Sequence, residues 1–219
     1  MQANKFLTLA LGLGLLASPV VAAETYTLDA AHSELGFNIG YFKLFKVHGA
    51  FAKFSGTINY DAKDATKSSV DVTIDAASID TRNDMRDHHL RTPDFFDVDK
   101  YPTATFKSTK VEAAKDGVLT VTGDLTLHGV TKPVVLTATI LGTVEDNMGR
   151  EQLAFSATTT FNRFDYGIAY DVKNKVGTAR VSNEVEIVIQ GEAFKGTGGK
   201  PMGAKPMEKP ADKPAADKK

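Results

Sequence analysis

The chain has no cysteine. That excludes disulfides, thiolate metal sites, a cysteine nucleophile and a lipid-modified N-terminal cysteine. After its first two dozen residues it has no long apolar run, so no later segment can cross a bilayer as a helix. A positive excess is also missing. Residues 24–195 carry 19 Lys and Arg against 24 Asp and Glu, a balance of −5 within a whole-chain net charge of −1. Nucleic-acid binding needs a basic stripe that displaces counterions, and a mildly acidic domain does not supply one. Neither of the common glycine-rich phosphate loops is present.

What is there begins with two unusual ends. Residues 1–23 open with Lys5, run apolar through Phe6–Leu16, turn at Ser18-Pro19 and end Val21-Ala22-Ala23. A positive start, a short apolar stretch and small residues at the cleavage positions make a secretory signal. The apolar run is too short for an anchor, so cleavage after Ala23 and a periplasmic mature protein are expected. Residues 196–219 carry six Lys against Glu208, Asp212 and Asp217, with repeated Lys-Pro steps and almost no large apolar group. Such a segment cannot bury enough surface to offset the entropy of ordering, so a disordered tail is expected. Its charge suits a weak contact with anionic envelope surfaces.

Between the ends, residues 24–195 alternate apolar and polar with the period of a strand. Leu35, Phe37, Ile39 and Tyr41 form one such row; Phe54, Gly56, Ile58 and Tyr60 another; Val70, Val72, Ile74 and Ala76 a third. Others are Thr103–Lys107, Leu119–Leu127, Val134–Ile140, Leu153–Phe161 and Val185–Ile189. They are rich in β-branched and aromatic residues, which suit a pleated, half-buried surface. The outward positions are Thr, Asp, Asn, Lys and Glu, the wrong face for a membrane-embedded barrel. Some eight strands with one apolar face each must close or stack, because open edges invite aggregation. The pattern fits a barrel and a two-sheet sandwich equally.

One segment breaks the rhythm. Asp80–Pro102 is crowded with charge and places Met85, Leu90, Phe95 and Phe96 at roughly helical spacing. A short helix over 83–91, stopped by Pro93 and lying across a barrel mouth, is predicted.

Three stretches carry a family resemblance. The first is Asn83, Arg86-Asp87, Leu90-Arg91, Asp94-Phe95-Phe96-Asp97 and Tyr101-Pro102. The second is Gly123 through Pro133, GDLTLHGVTKP. The third is Asn162-Arg163 with Asp165-Tyr166-Gly167. In this order, on a strand-rich chain with a signal, they resemble the YceI-like family of periplasmic lipid-binding proteins, over roughly residues 24–194. The resemblance implies an all-β fold, an eight-stranded antiparallel lipocalin-like barrel holding a polyisoprenoid, an isoprenoid quinone or a similar long-chain amphiphile. It also implies that dimers occur, though no interface is legible. The Lys/Pro tail lies outside the pattern.

Candidate residues follow. An apolar chain needs a dry tunnel rather than a catalytic group, and Phe37, Ile39, Phe51, Phe54, Phe106, Leu125, Leu127, Leu136, Phe155, Phe161 and Ile187 are the expected wall. The same residues would otherwise simply fill the barrel. Phe95 and Phe96 either close the mouth or pin the loop. Asn83, Arg86, Asp87, Arg91 and Asp97 read as a loop staple of arginines paired with carboxylates, or as head-group contacts. Arg163 pairing with that acidic loop is a further expectation. Catalysis by the cluster would need acid and base within reach of a substrate, which spacing does not establish. The alternative function is therefore an enzyme acting on an isoprenoid or hydrophobic small molecule, with a binding protein the leading reading. His88 and His89 point about 100° apart on a helix and cannot chelate one metal well. His32, His48 and His128 stand alone in sequence, so neither metal nor other cofactor is expected.

Overall fold

The computed structural model describes residues 23–113 and 115–196. The predicted signal, save Ala23, and the predicted tail, save Gly196, lie outside the described residues. Eleven strands and one helix run in the order β1 (Glu24–Leu28), β2 (Glu34–Tyr41), β3 (Phe45–Phe51), β4 (Phe54–Tyr60), β5 (Ser69–Asp75), β6 (Ile79–Asp80), α1 (Asp84–Arg91), β7 (Thr103–Ala113), β8 (Val118–Leu127), β9 (Val130–Glu145), β10 (Glu151–Asn162) and β11 (Val181–Lys195). All pairings are antiparallel. The ring β1-β4-β5-β7-β8-β9-β10-β11 closes because β1 also pairs with β11, Tyr26 opposite Lys195 and Leu28 opposite Ala193. Closure decides between the two architectures the alternation allowed: the fold is an eight-stranded antiparallel barrel.

Eleven strands fill eight positions because three positions are broken. β11 pairs with β1 along its last residues and with β2 from Val181 to Gln190. Thus β1 and β2 are the lower and upper halves of one wall position. β3 and β4 are likewise separated only by Ala52-Lys53, and β5 and β6 by a short 3-10 turn, Ala76–Ser78. The sequence rows for β2, β4, β5 and β8–β11 fall within these strands, save Ala76, which lies in the 3-10 turn after β5. β1, β3 and β6 were not expected, and β7 runs to Ala113 rather than Lys107.

At the lower end Tyr26, Leu153 and Ala193, all at most 2% exposed, form the floor. At the upper end β6 is two residues long and pairs only with β3. The sheet therefore parts between β6 and β7, and α1 with the 92–102 loop occupies the gap. The Ala76 N–H bonds the Pro102 carbonyl at 2.9 Å, pinning the loop's return. The helix begins where Asn83 caps it, its side chain accepting the Arg86 N–H at 2.9 Å, and ends at Thr92 before Pro93. It spans 84–91, one residue shorter than the predicted 83–91, because Asn83 caps the helix rather than joining it.

The upper-end hairpin between β8 and β9 turns on His128 and Gly129, at φ 51° and 75°. A Cβ on Gly129 would lie 2.5 Å from the Tyr101 ring, so glycine is needed both for the turn and for Tyr101 to seat. Among the described residues no helix is long and apolar enough to cross a membrane.

Candidate functional site

Inward-facing residues divide into two kinds. Ile58, Phe106, Val121 and Leu127 are buried against neighbours, but Phe37, Ile39, Leu136, Phe155 and Ile187 stay half-exposed although they point inside. Their open surface faces a cavity of about 820 Å³ that runs through the barrel. Its size lies toward the upper end of the range for pockets that enclose a ligand. Phe37, Ile39, Phe51, Phe54, Phe95, Phe96, Phe106, Leu125, Leu127, Leu136, Phe155, Phe161 and Ile187 all line it. The aromatic rings coat the tunnel rather than plug it.

The polar part of the wall is one-sided. It contains Arg86, Arg163, Arg180, His88 and His89, and among the described residues no Asp, Glu or Lys. In a domain whose carboxylates outnumber its cations, this exclusion marks the cavity off from the outer surface. All five residues lie at the upper end: three on α1, Arg163 just after β10 and Arg180 just before β11. Asn83 and Thr81 line the same mouth, whereas Asp87, Arg91 and Asp97 do not reach the cavity.

The expected Arg–carboxylate staple takes a different form. Arg86 Nε donates to Thr81 Oγ1 and its Nη2 to the Thr81 carbonyl, both at 2.7 Å. Asp87, buried, accepts from the Thr81 N–H at 2.9 Å and from the Thr81 hydroxyl. Arg91 donates to the carbonyls of Ala77 at 2.7 Å and Ile79 at 2.8 Å. Asp97, at φ 46°, turns the loop through its backbone, its carbonyl accepting the Tyr101 N–H at 2.8 Å. The side chains satisfy backbone groups released where the sheet parts at β6, rather than one another. Of the loop carboxylates after the helix, Asp94 takes a helix side chain as partner, His89 at 2.8 Å.

Arg163 also departs from expectation. It does not pair with the 80–102 loop. Its Nε, Nη1 and Nη2 donate to the carbonyls of Ser182, Ile168 and Tyr170 at 2.9, 2.7 and 2.8 Å, and the residue is 3% exposed. Burial pushes its pKa down, partly offset by Asp171. Beside it Tyr166 is fully buried, and its hydroxyl is the one buried side-chain polar atom without a partner among the described residues. An orphaned buried hydroxyl costs about 1–3 kcal/mol. Tyr166→Phe is therefore expected to raise the unfolding free energy by about 1 kcal/mol, measurable by urea denaturation. An unchanged or lowered midpoint would mean the hydroxyl has found a partner such as water.

The single histidines do not stand alone. His48 bonds Asn38, and His128 Nδ1 lies 3.1 Å from the Tyr166 carbonyl. His32 meets Asp29 at 2.6 Å and Glu192 at 3.3 Å, three ligand-type groups within 4.8 Å. Asp29 already accepts the Ala31 N–H at 3.0 Å, so the arrangement is satisfied as an ion-paired turn. The hydrogen bond to Asp29, then its charge and that of Glu192, raise the His32 pKa. A raised folded pKa gives stability that is full below the unfolded value, about 6.5, and lost as pH rises through the folded one. The Tm gap between the natural protein and His32→Ala should then be widest in acid and narrow toward alkaline pH. A gap constant across pH would remove the ion pair's role.

The comparisons bear on this geometry. A family model described as YceI-like domain matches residues 26–193. The chain belongs to the YceI-like family. A UPF0312 protein of Ectopseudomonas mendocina is 37% identical over 193 residues, covering 87% of this chain and 98% of that one. Among solved structures, BcnA of Burkholderia cenocepacia superposes with a TM-score of 0.66 at 27% identity, covering 76% of this chain and 99% of that one. A polyisoprenoid binding domain from Saccharophagus degradans, implicated in plant cell wall breakdown, gives 0.56 at 18% identity, covering 80% and 99%. The last comparison shows a shared fold alone.

Sequence reasoning missed Thr81, Met85, His88, His89, Tyr170 and Arg180 as mouth residues. Arg180 sits in no motif, and only its place one residue before β11 puts it there.

Proposed function

We propose that this chain is a periplasmic carrier or store for one long-chain amphiphile of the polyisoprenoid class. The hydrocarbon would lie in the barrel and an anionic head group at the mouth. The observation that carries the reading is the wall: an apolar cavity of about 820 Å³ ending in three arginines and two histidines, with no carboxylate among the described lining residues. Each buried methylene contributes about 0.8 kcal/mol, so a few isoprene units already offset the cost of association. Arg163 spends its donors on carbonyls and Arg86 two of its three nitrogens. The Arg180 side chain has no partner among the described residues and is the free cation for the head. The named ligand of the S. degradans domain and the signal-like first 23 residues support the class and the compartment. The reading needs no catalytic group and no cofactor.

The test uses delipidated protein, a polyprenyl phosphate and the uncharged polyprenol of the same length, followed by native mass spectrometry. The phosphate is expected to bind about tenfold or more tightly, and Arg180→Ser to erase the difference. If neither compound binds, the carrier reading fails. If both bind equally, the tail site stands and the anionic head is wrong.

A further inference from the structure

We infer that the β2–β3 hairpin tip and the neighbouring 171–180 loop dock the barrel's mouth on an anionic lipid bilayer. The turn Tyr41-Phe42-Lys43-Leu44 closes through the Leu44 N–H to Tyr41 carbonyl bond at 2.9 Å, with Phe42 and Lys43 at φ 49° and 60°. Two-residue turns of this hand favour Asn-Gly, because bulky residues at positive φ are strained. Here that conformation is held by a phenylalanine and a lysine. Leu44 is 81% exposed at the hairpin tip, and Phe45 is 59% exposed although its ring also packs on Tyr41.

The 171–180 loop stands beside it, the Phe42 N–H bonding the Arg180 carbonyl at 2.8 Å, and holds Val176 84% exposed. The two segments carry Lys43, Lys46, Lys173, Lys175 and Arg180 against Asp171 alone. Lys46 pairs with Glu186 and Lys173 with Asp171, while Lys43, Lys175 and Arg180 have no side-chain partner among the described residues. Apolar tips interleaved with free cations suit a bilayer interface, each cation contributing about fivefold near an anionic surface.

Charge also picks the end. The β9–β10 turn at the floor exposes Met148 and, nearby, Val144, but its flanking charges are Glu145, Asp146, Arg150 and Glu151, with Arg150 paired to Asp146, so it offers no free cation. In a domain at −5, a rim segment holding five cations against one carboxylate is the part an anionic surface would attract first. Tyr41 and Arg180 belong both to this rim and to the cavity wall, so docking would set the opening against the bilayer.

The test is co-sedimentation of the full chain with vesicles of phosphatidylglycerol and phosphatidylethanolamine, against phosphatidylcholine alone. Binding should favour the anionic vesicles. It should fall about tenfold or more in Leu44→Ser and in the double variant Phe42→Asn with Lys43→Gly, but not in Met148→Ser. The double variant should keep or raise Tm, which separates lost docking from lost fold. Every variant keeps the basic tail, so the tail cannot produce the difference. Equal binding by the double variant, or equal loss in Met148→Ser, overturns the proposal. So does light scattering that finds a dimer split by Leu44→Ser, since a second copy would then cover the tip. Uptake of polyprenyl phosphate from detergent by a non-docking variant distinguishes failure of docking from failure of the cavity reading.

Discussion

Arg163→Ala is expected to lower the unfolding free energy by about 3 kcal/mol, a fall in Tm of about 6–12 °C for a domain of this size. The side chain gathers three carbonyls from two sides of the mouth, Ile168 and Tyr170 from the segment after β10 and Ser182 from the start of β11. The Ile168 carbonyl belongs to a buried residue, and without its donor it forfeits the full desolvation cost of about 1–3 kcal/mol. Tyr170 and Ser182 are half-buried, so water can replace part of what they lose. Domains are stable by only about 5–15 kcal/mol, and one such loss is a large share. Arg163→Lys should not rescue it, because a single ammonium cannot serve three carbonyls in the fork a guanidinium spans. Differential scanning calorimetry checks both variants; full stability in the lysine variant would show that charge, rather than the donor geometry, matters at this position.

That arginine also marks the limit of reading the chain unaided. The period-two rows were legible because each side of a barrel strand meets one environment, so Leu35, Phe37, Ile39 and Tyr41 repeat without interruption. β3 alternates too, but Gly49 on its inward row and Ala50 on the outward one break the contrast. β1 is five residues and β6 two, too short to show a period. The helix was legible from its charge and Pro93. The partners of Arg86, Arg91 and Arg163 were not, because all but the Thr81 hydroxyl are backbone carbonyls, and a sequence shows side chains only. Pairing with nearby aspartates was the natural expectation; instead Arg86 and Arg91 bond carbonyls where β5 gives way to β6, and Arg163 those beside β10 and β11. His32 and Glu192 lie 160 positions apart and meet only because β11 runs back past the end of β1.

Ala157→Trp should abolish ligand uptake while leaving Tm unchanged or slightly raised. Ala157 lies midway along β10, opposite Ala138 on β9 and Ile189 on β11, and all three line the cavity. Two adjacent alanines project little into the bore at this level. In a filled barrel the added indole would overpack, forcing neighbours off their rotamers at a cost of about 1–3 kcal/mol. In an open one it settles into space already present and gains burial at about 25 cal/mol per Å² of apolar surface. The same side chain blocks the middle of the tunnel to an extended hydrocarbon. Denying the chain one isoprene unit costs about 3–4 kcal/mol at 0.8 kcal/mol per methylene, so affinity should drop by about a hundredfold or more. Thermal denaturation and native mass spectrometry of the same sample separate the two effects. A Tm that collapses means the interior was full. A stable variant that still takes up polyprenyl phosphate with its original affinity means the chain lies somewhere other than the barrel.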